Sequence, residues 1–243
     1  MKKSRKLSKQ SNIDTDKDSS DNTSDILSDL PLIITEIQIQ KKNQNRYSLF
    51  NNKRFLLGVS SKTLLDFSLQ KGVNLTPLLF NQITKAENYF SAKECAIRYI
   101  GRRDHASFEL KQKLLNKGFD QSTIDILISN LHEKGLLNDK CFAEKYALDK
   151  AQLNRWGSRK IESALFKKGI SKQIIQNVLK NTFDNLPQDQ ICVDLIVKRK
   201  KHFLRENDPY RRKKKIYSYL AGRGFSGEDI NKALSRVEKQ LDV

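Results

Sequence analysis

The stretch Leu110-Lys111-Gln112-Lys113-Leu114-Leu115-Asn116-Lys117-Gly118-Phe119-Asp120 decides the fold, because its pattern occurs three times in the chain. Gly118, Gly169 and Gly224 serve as anchors. Eight residues before them stand Leu110, Ile161 and Ile216, and four before stand Leu114, Leu165 and Leu220. Phe119, Ile170 and Phe225 follow directly, then Asp120, Ser171 and Ser226. Isoleucine recurs six residues on, at Ile124, Ile175 and Ile230, and Ile128, Leu179 and Leu234 follow four later. The anchors lie roughly fifty residues apart, a period that signals stacked structural repeats. Such arrays present a long surface to a partner in place of a catalytic pocket.

Each repeat reads as a three-helix unit. Positions eight, four and three before the anchor share one face at the 3.6-residue period. These are Leu110, Leu114 and Leu115, then Ile161, Leu165 and Phe166, then Ile216, Leu220 and Ala221. Glycine ends the helix, since a left-handed residue after the last turn costs it nothing. Asp120, Ser171 and Ser226 offer an oxygen to cap the next helix. Ser226 with Asp229 comes close to a capping box. A further amphipathic helix precedes each pair, over about 90–103, 139–154 and 188–205. The glycines therefore read as helix stops; no phosphate-cradling glycine motif is present.

The expected fold is mainly α: a tandem array of three three-helix repeats behind a small α+β module with a three-stranded antiparallel meander. The expected organisation is a disordered polar tail over 1–30, the α+β module over 31–76, and a linker helix with repeat 1 over 77–137. Repeat 2 then covers 138–183 and repeat 3 covers 184–243. The tail carries six basic and six acidic side chains and few aliphatics, a composition unable to build a core, and has no apolar stretch of leader length. In the module, Thr35, Ile37 and Ile39, then Tyr47 and Leu49, then Phe55, Leu57 and Val59 alternate with polar residues. Ser60 or Ser61 can cap a short helix, and Thr76-Pro77 starts another.

The net charge is +18, with 37% hydrophobic and 30% charged residues. The excess lies entirely beyond the tail and peaks in 198–215, which holds ten basic and two acidic residues. Such density implies a polyanion or an acidic protein surface as partner. No run approaches the roughly 18 apolar residues of a membrane span. Cys95, Cys141 and Cys192 lie far apart, outside zinc spacing. Each falls in a first helix, where buried packing in a reducing cytosol is expected. His105, His132 and His202 adjoin no nucleophile motif. The reading is therefore no enzyme, no catalytic residues, no metal and no cofactor.

The repeat region resembles the RecX family of RecA regulators. The likeness is carried by Ala96 through His105, by Glu109 to Leu114, and by Lys117-Gly118-Phe119. It continues through Leu131 to Asp139, Phe142-Ala143-Glu144, Arg155, Gly157 and Ile161 through Ile170. The module also looks like one found in many members, through Tyr47 and the Phe55–Ser60 strand. The resemblance covers about 33–240. Ala106 stands where the family often has serine, so Ser107 is expected to cap one residue later, and Asn138 replaces a common acidic residue. The odd cysteine count fits a cytoplasmic protein, and the lack of a heptad seam or leftover apolar stripe a monomer; the resemblance implies a binding protein active in recombinational DNA repair and the SOS response. It would lie in the groove of the RecA–DNA filament and lower ATP hydrolysis, strand exchange and coprotease activity, with direct contact to single- or double-stranded DNA.

The candidate contacts are the cations Lys198, Arg199, Lys200, Lys201, Arg211, Arg212, Lys213, Lys214 and Lys215. Arg102, Arg103, Arg155, Arg159 and Lys160, at helix junctions of the first two repeats, form a second group. The alternative is an independent DNA-binding protein of helix-turn-helix-like type.

Overall fold

The computed structural model describes residues 25–41, 43–184 and 186–241. The tail reading over 1–24 lies outside the described residues. The chain forms two compact units, Met1–Ser91 and Ala92–Val243. The division falls inside a 24-residue helix, α2 (Pro77–Ile100).

In the first unit, β2 (Glu36–Gln40), β3 (Asn43–Asn51) and β4 (Arg54–Ser60) form the antiparallel meander in that order. Asn52 and Lys53 both have positive φ, 46° and 69°, as a two-residue hairpin turn matched to strand twist requires. The register shifts between Leu49 and Phe50. That bulge turns Leu56 into the core and leaves Phe55 44% exposed, so the strict alternation expected for β4 breaks there. Ser60 caps α1 (Ser61–Asp66), and Thr76 accepts from the Leu79 amide at the start of α2. A second, two-stranded pairing joins β1 (Leu32–Ile33) to β5 (Asn74–Leu75); strands this short gave no periodic signal. Residues 25–29, counted as tail from composition, are helical and bury Ile26 against Leu49, Leu56 and Phe80.

The second unit is the array. Repeat 1 uses the end of α2 with α3 (Ser107–Leu115) and α4 (Gln121–Glu133). Repeat 2 is α5 (Asp139–Gln152), α6 (Ser158–Lys167) and α7 (Lys172–Asp184). Repeat 3 is α8 (Gln188–Lys198), the single turn α9 (Lys200–Phe203), α10 (Pro209–Gly222) and α11 (Gly227–Leu241). The helix expected over 188–205 is thus broken at Arg199, whose φ of −106° and ψ of 12° interrupt the helical run.

The helix stops are one motif built three times. Gly118, Gly169 and Gly224 have φ of 87°, 77° and 93°. The amides of Phe119, Ile170 and Phe225 reach back to the carbonyls of Leu114, Leu165 and Leu220 at 3.3, 3.2 and 3.3 Å. This six-to-one bond satisfies carbonyls that a helix end leaves open. Asp120 and Ser226 then accept from Thr123 and Asp229 amides, at 2.9 and 3.1 Å, and Ser171 from Ile174 at 3.4 Å.

The inward stripe is narrower than periodicity alone suggests. Leu110, Leu114, Ile161, Leu165, Ile216 and Leu220 are fully buried, while Phe166 is 71% exposed and Ala221 is also exposed. Cys95 and Cys192 are buried, but Cys141 on α5 is exposed. Burial, with Asp229 and Asp189 nearby, pushes the Cys192 thiol up to about 12.

Candidate nucleic-acid interface

The repeats join through one recurring contact. The start of each internal repeat's second helix docks on the glycine turn of the next repeat. At the first junction Phe108 packs on Gly169, where an added Cβ would come within 2.4 Å of the Phe108 Cβ. At the second, Gly157 and Arg159 donate their amides to the Arg223 and Gly224 carbonyls at 2.9 and 3.1 Å. The Arg223 guanidinium returns a bond to the Asn154 carbonyl at 2.9 Å.

The next repeat also supplies the missing cap. Neither Ala106 nor Gly157 caps its helix with a side chain. Asp139, first residue of α5, accepts from the Ser107 amide at 2.8 Å, and Gln188, first residue of α8, accepts from the Ser158 amide at 2.8 Å. The expectation that Ser107 caps α3 is therefore corrected: its amide receives a cap from across the junction. Such a cap contributes about 1 kcal/mol. Repeat 3 differs: its second helix is capped from within the repeat by Asp208, which accepts from the Tyr210 and Arg211 amides.

Ser107, His132 and Asp139 meet, a grouping invisible at their sequence spacing. The roles are not those of a nucleophilic triad. Asp139 accepts from Ser107 Oγ at 3.0 Å, so the hydroxyl proton points to the carboxylate. His132 Nε2, 2.8 Å from Oγ, then donates to Ser107 where a general base would accept.

The first junction also holds an ionic cluster. Glu109 pairs with Arg103, and its other oxygen lies 3.1 Å from Lys168. Burial pushes the Glu109 carboxyl upward, but the Arg103 and Lys168 hydrogen bonds and charges outweigh it, bringing the pKa down to about 2. His105 donates from Nδ1 to the Arg103 carbonyl and accepts from Lys113 at Nε2, both at 2.8 Å. Burial first, then the Arg103 and Lys113 charges, hold His105 below its ordinary value against that carbonyl bond. Glu109 is a depressed acid, so its stabilisation is present above 4.5 and lost as pH falls toward about 2. The urea-midpoint advantage of the native chain over Glu109→Gln is expected to stay constant above about pH 4.5 and to close toward pH 2. A pH-independent gap would remove the ion pairs from the junction's stability.

The candidate cations divide by place. Lys198, Arg199, Lys201, Arg211, Lys213, Lys214 and Lys215 are exposed, and Lys200 is half-buried. Arg212 stands apart. It is buried, 6% exposed, and its guanidinium bonds the Glu206 and Asn207 carbonyls at 2.9 and 3.3 Å, so it is a structural cation. Lys198 to Lys201, His202 and Arg205 line a concavity of about 480 Å³. Arg102 is exposed, and Arg103 is held by Glu109. Arg103 thereby belongs to the ionic cluster of the first junction.

Arg155, Arg159 and Lys160 belong to the second junction, and the structure joins them to repeat 3. Lys160 lies 4.6 Å from the Trp156 ring centroid, and Arg223 bonds the adjacent Asn154 carbonyl. Arg223 and Arg199 both lie against the Tyr219 ring, at 5.1 and 4.7 Å. Along α10 and its C-cap, Arg211, Lys215, Tyr219 and Arg223 follow at four-residue spacing, on one side of the helix. A band of cations with aromatic rings between them thus runs from Arg155 through Arg223 and Tyr219 to the Arg199 concavity. Arg223, Tyr219 and Trp156 escaped the sequence reading, although Arg223 sits directly before an anchor glycine, as Lys117 and Lys168 do.

Among the described residues no three histidine, cysteine or acidic side chains gather as a metal site would require, and no helix is long and apolar enough to cross a membrane. Four family models match the chain in order: the regulatory protein RecX N-terminal domain over 32–76, and the first, second and third RecX three-helix domains over 92–131, 138–179 and 188–234. The regulatory protein RecX of Clostridium beijerinckii is 30% identical over 207 residues, covering 84% of this chain and 95% of its own. That of Chlorobium phaeobacteroides is 35% identical over 146 residues, covering 60% and 93%. A crystal structure of regulatory protein RecX shares the fold at TM-score 0.67 and 21% identity, over 84% of this chain and 98% of that one. RecX from Lactobacillus salivarius does so at 0.58 and 23%, over 63% and 99%. Module, three repeats and their order all coincide, and the chain belongs to the RecX family of regulatory proteins.

Proposed function

We propose that this protein regulates a RecA-type recombinase by binding the RecA–DNA filament, lowering its ATP hydrolysis, strand exchange and coprotease activity. It acts as a cytoplasmic monomer without enzymatic activity of its own. The observation that supports this most is the cation band crossing the junction of repeats 2 and 3. A polyanionic filament offers charge along its length, and an array with several modest contacts gains affinity because they act at high effective concentration. The test is steady-state ATPase of the cognate recombinase on single-stranded DNA, titrated with this protein. Inhibition below one regulator per recombinase subunit is the expected result. Unchanged ATPase, with the regulator bound to DNA alone, would overturn the reading. That outcome would favour an independent DNA-binding protein, the reading supported by α10, which has five basic residues and no acidic one.

A further inference from the structure

The second helix of repeat 3 differs from its two counterparts in a way that exposes a specific surface. α3 and α6 begin eleven residues before their anchor glycines, at Ser107 and Ser158. α10 begins a full turn earlier, at Pro209, through the added residues Pro209, Tyr210, Arg211 and Arg212. In repeats 1 and 2 the helix start is small, Ala106 or Gly157, and receives the next repeat's turn. In repeat 3 the corresponding residue is Arg212, inside the helix and bonded to its own leading loop. The extra turn therefore takes the place of the cap that α3 and α6 receive from a neighbour, and the position that contacts the next repeat at Phe108 and Arg159 becomes an exposed Lys214.

On that open face Tyr210, Lys213, Lys214 and Tyr217 fall at positions i, i+3, i+4 and i+7, one stripe of the helix. Tyr210 is 76% and Tyr217 40% exposed. The Tyr217 hydroxyl lies over Gly227, where a Cβ would come within 2.8 Å of it, so the absent side chain gives that ring its seat. The two tyrosines are anchored about 10 Å apart along the axis, with Lys213 and Lys214 between them in the stripe.

We propose that this stripe binds single-stranded nucleic acid, the two tyrosines stacking on bases and Lys213 and Lys214 meeting the phosphates between them. Two exposed rings spend apolar area in water that a polyanion lacking free bases would not cover. A duplex hides its base faces, whereas a single strand offers both the charge and the flat apolar surface. The inference rests on the filament reading, to which it adds a direct contact with the strand.

The test uses the full chain, without recombinase, and a fluorescein-labelled oligothymidylate followed by anisotropy over a salt series. Tyr210→Ala with Tyr217→Ala is expected to weaken binding about tenfold or more, at an unchanged slope of log affinity against log salt. The paired Tyr→Phe variant keeps the rings and is expected to bind like the native chain. Far-UV circular dichroism checks that both stay folded. Native affinity in the alanine pair, equal loss in the phenylalanine pair, or equal affinity for a duplex of the same length would each overturn the stripe. If the alanine pair binds oligothymidylate normally yet no longer affects recombinase ATPase, the stripe touches protein: this inference fails and the filament reading stands.

Discussion

Gly224→Ala is expected to destabilise the array far more than Gly118→Ala, although the two glycines have the same conformation. Their φ values are 93° and 87°, so each substitution forces a side chain into the left-handed region, at about 1–2 kcal/mol. Their surroundings differ. Around Gly118 an added Cβ meets nothing within 4 Å, whereas at Gly224 it would sit 2.4 Å from the Lys160 amide nitrogen and 2.3 Å from its Cβ. Backbone cannot move aside as a flexible side-chain end can, and overpacking of this kind costs a further 1–3 kcal/mol or so. The same shift would strain the bonds from Gly157 and Arg159 to this turn. Urea unfolding of both variants reads the difference, with the Gly224 variant losing cooperativity between repeats 2 and 3. Equal losses at the two sites would mean that the junction contributes nothing to stability.

The second large effect concerns charge. Changing Arg211, Lys213, Lys214 and Lys215 together to alanine is expected to reduce affinity for single-stranded DNA on the order of 10² to 10³ at about 0.1 M salt. Each lost contact removes about 0.7 from the log–log salt slope, so four make the slope shallower by about 3. All four side chains are exposed, and α10 keeps its buried Ile216 and Leu220, so the fold should persist. Arg212→Ala is the opposite case. It is expected to leave the slope alone and to cost roughly 1–2 kcal/mol of stability through the carbonyl bonds it loses. An unchanged slope in the fourfold variant would remove this helix from the contact surface.

The contrast between Arg212 and its neighbours shows what the sequence could and could not tell. In the run Arg211 to Lys215 all five look alike as charges. Yet Arg212 stands four residues before Ile216 and eight before Leu220, on the buried stripe, so the period already marked it. The glycine stops and caps were legible because helix ends are settled by a few neighbouring backbone groups. Three features were not. Leu56 turned inward because a bulge shifted a strand phase that depends on its partner. Phe166 turned outward because the face offered to the core is set by crossing helices, not by one helix alone. The joining of Arg155 to Arg199 depends on Arg223 and Tyr219, which only the stacking of repeats brings together.

The borrowed caps give the array a direction in time. As the chain leaves the ribosome, α3 has its hydrophobic stripe at once but no partner for its first amides until Asp139 emerges, and α6 waits in the same way for Gln188. Repeat 3 alone carries its own start, at Asp208. Each internal unit is thus finished by its successor, and a nascent chain stalled at any junction ends in a half-made helix. Loss of a whole repeat from the carboxyl end strips a cap from the unit left behind, while loss of whole repeats from the amino end strips none.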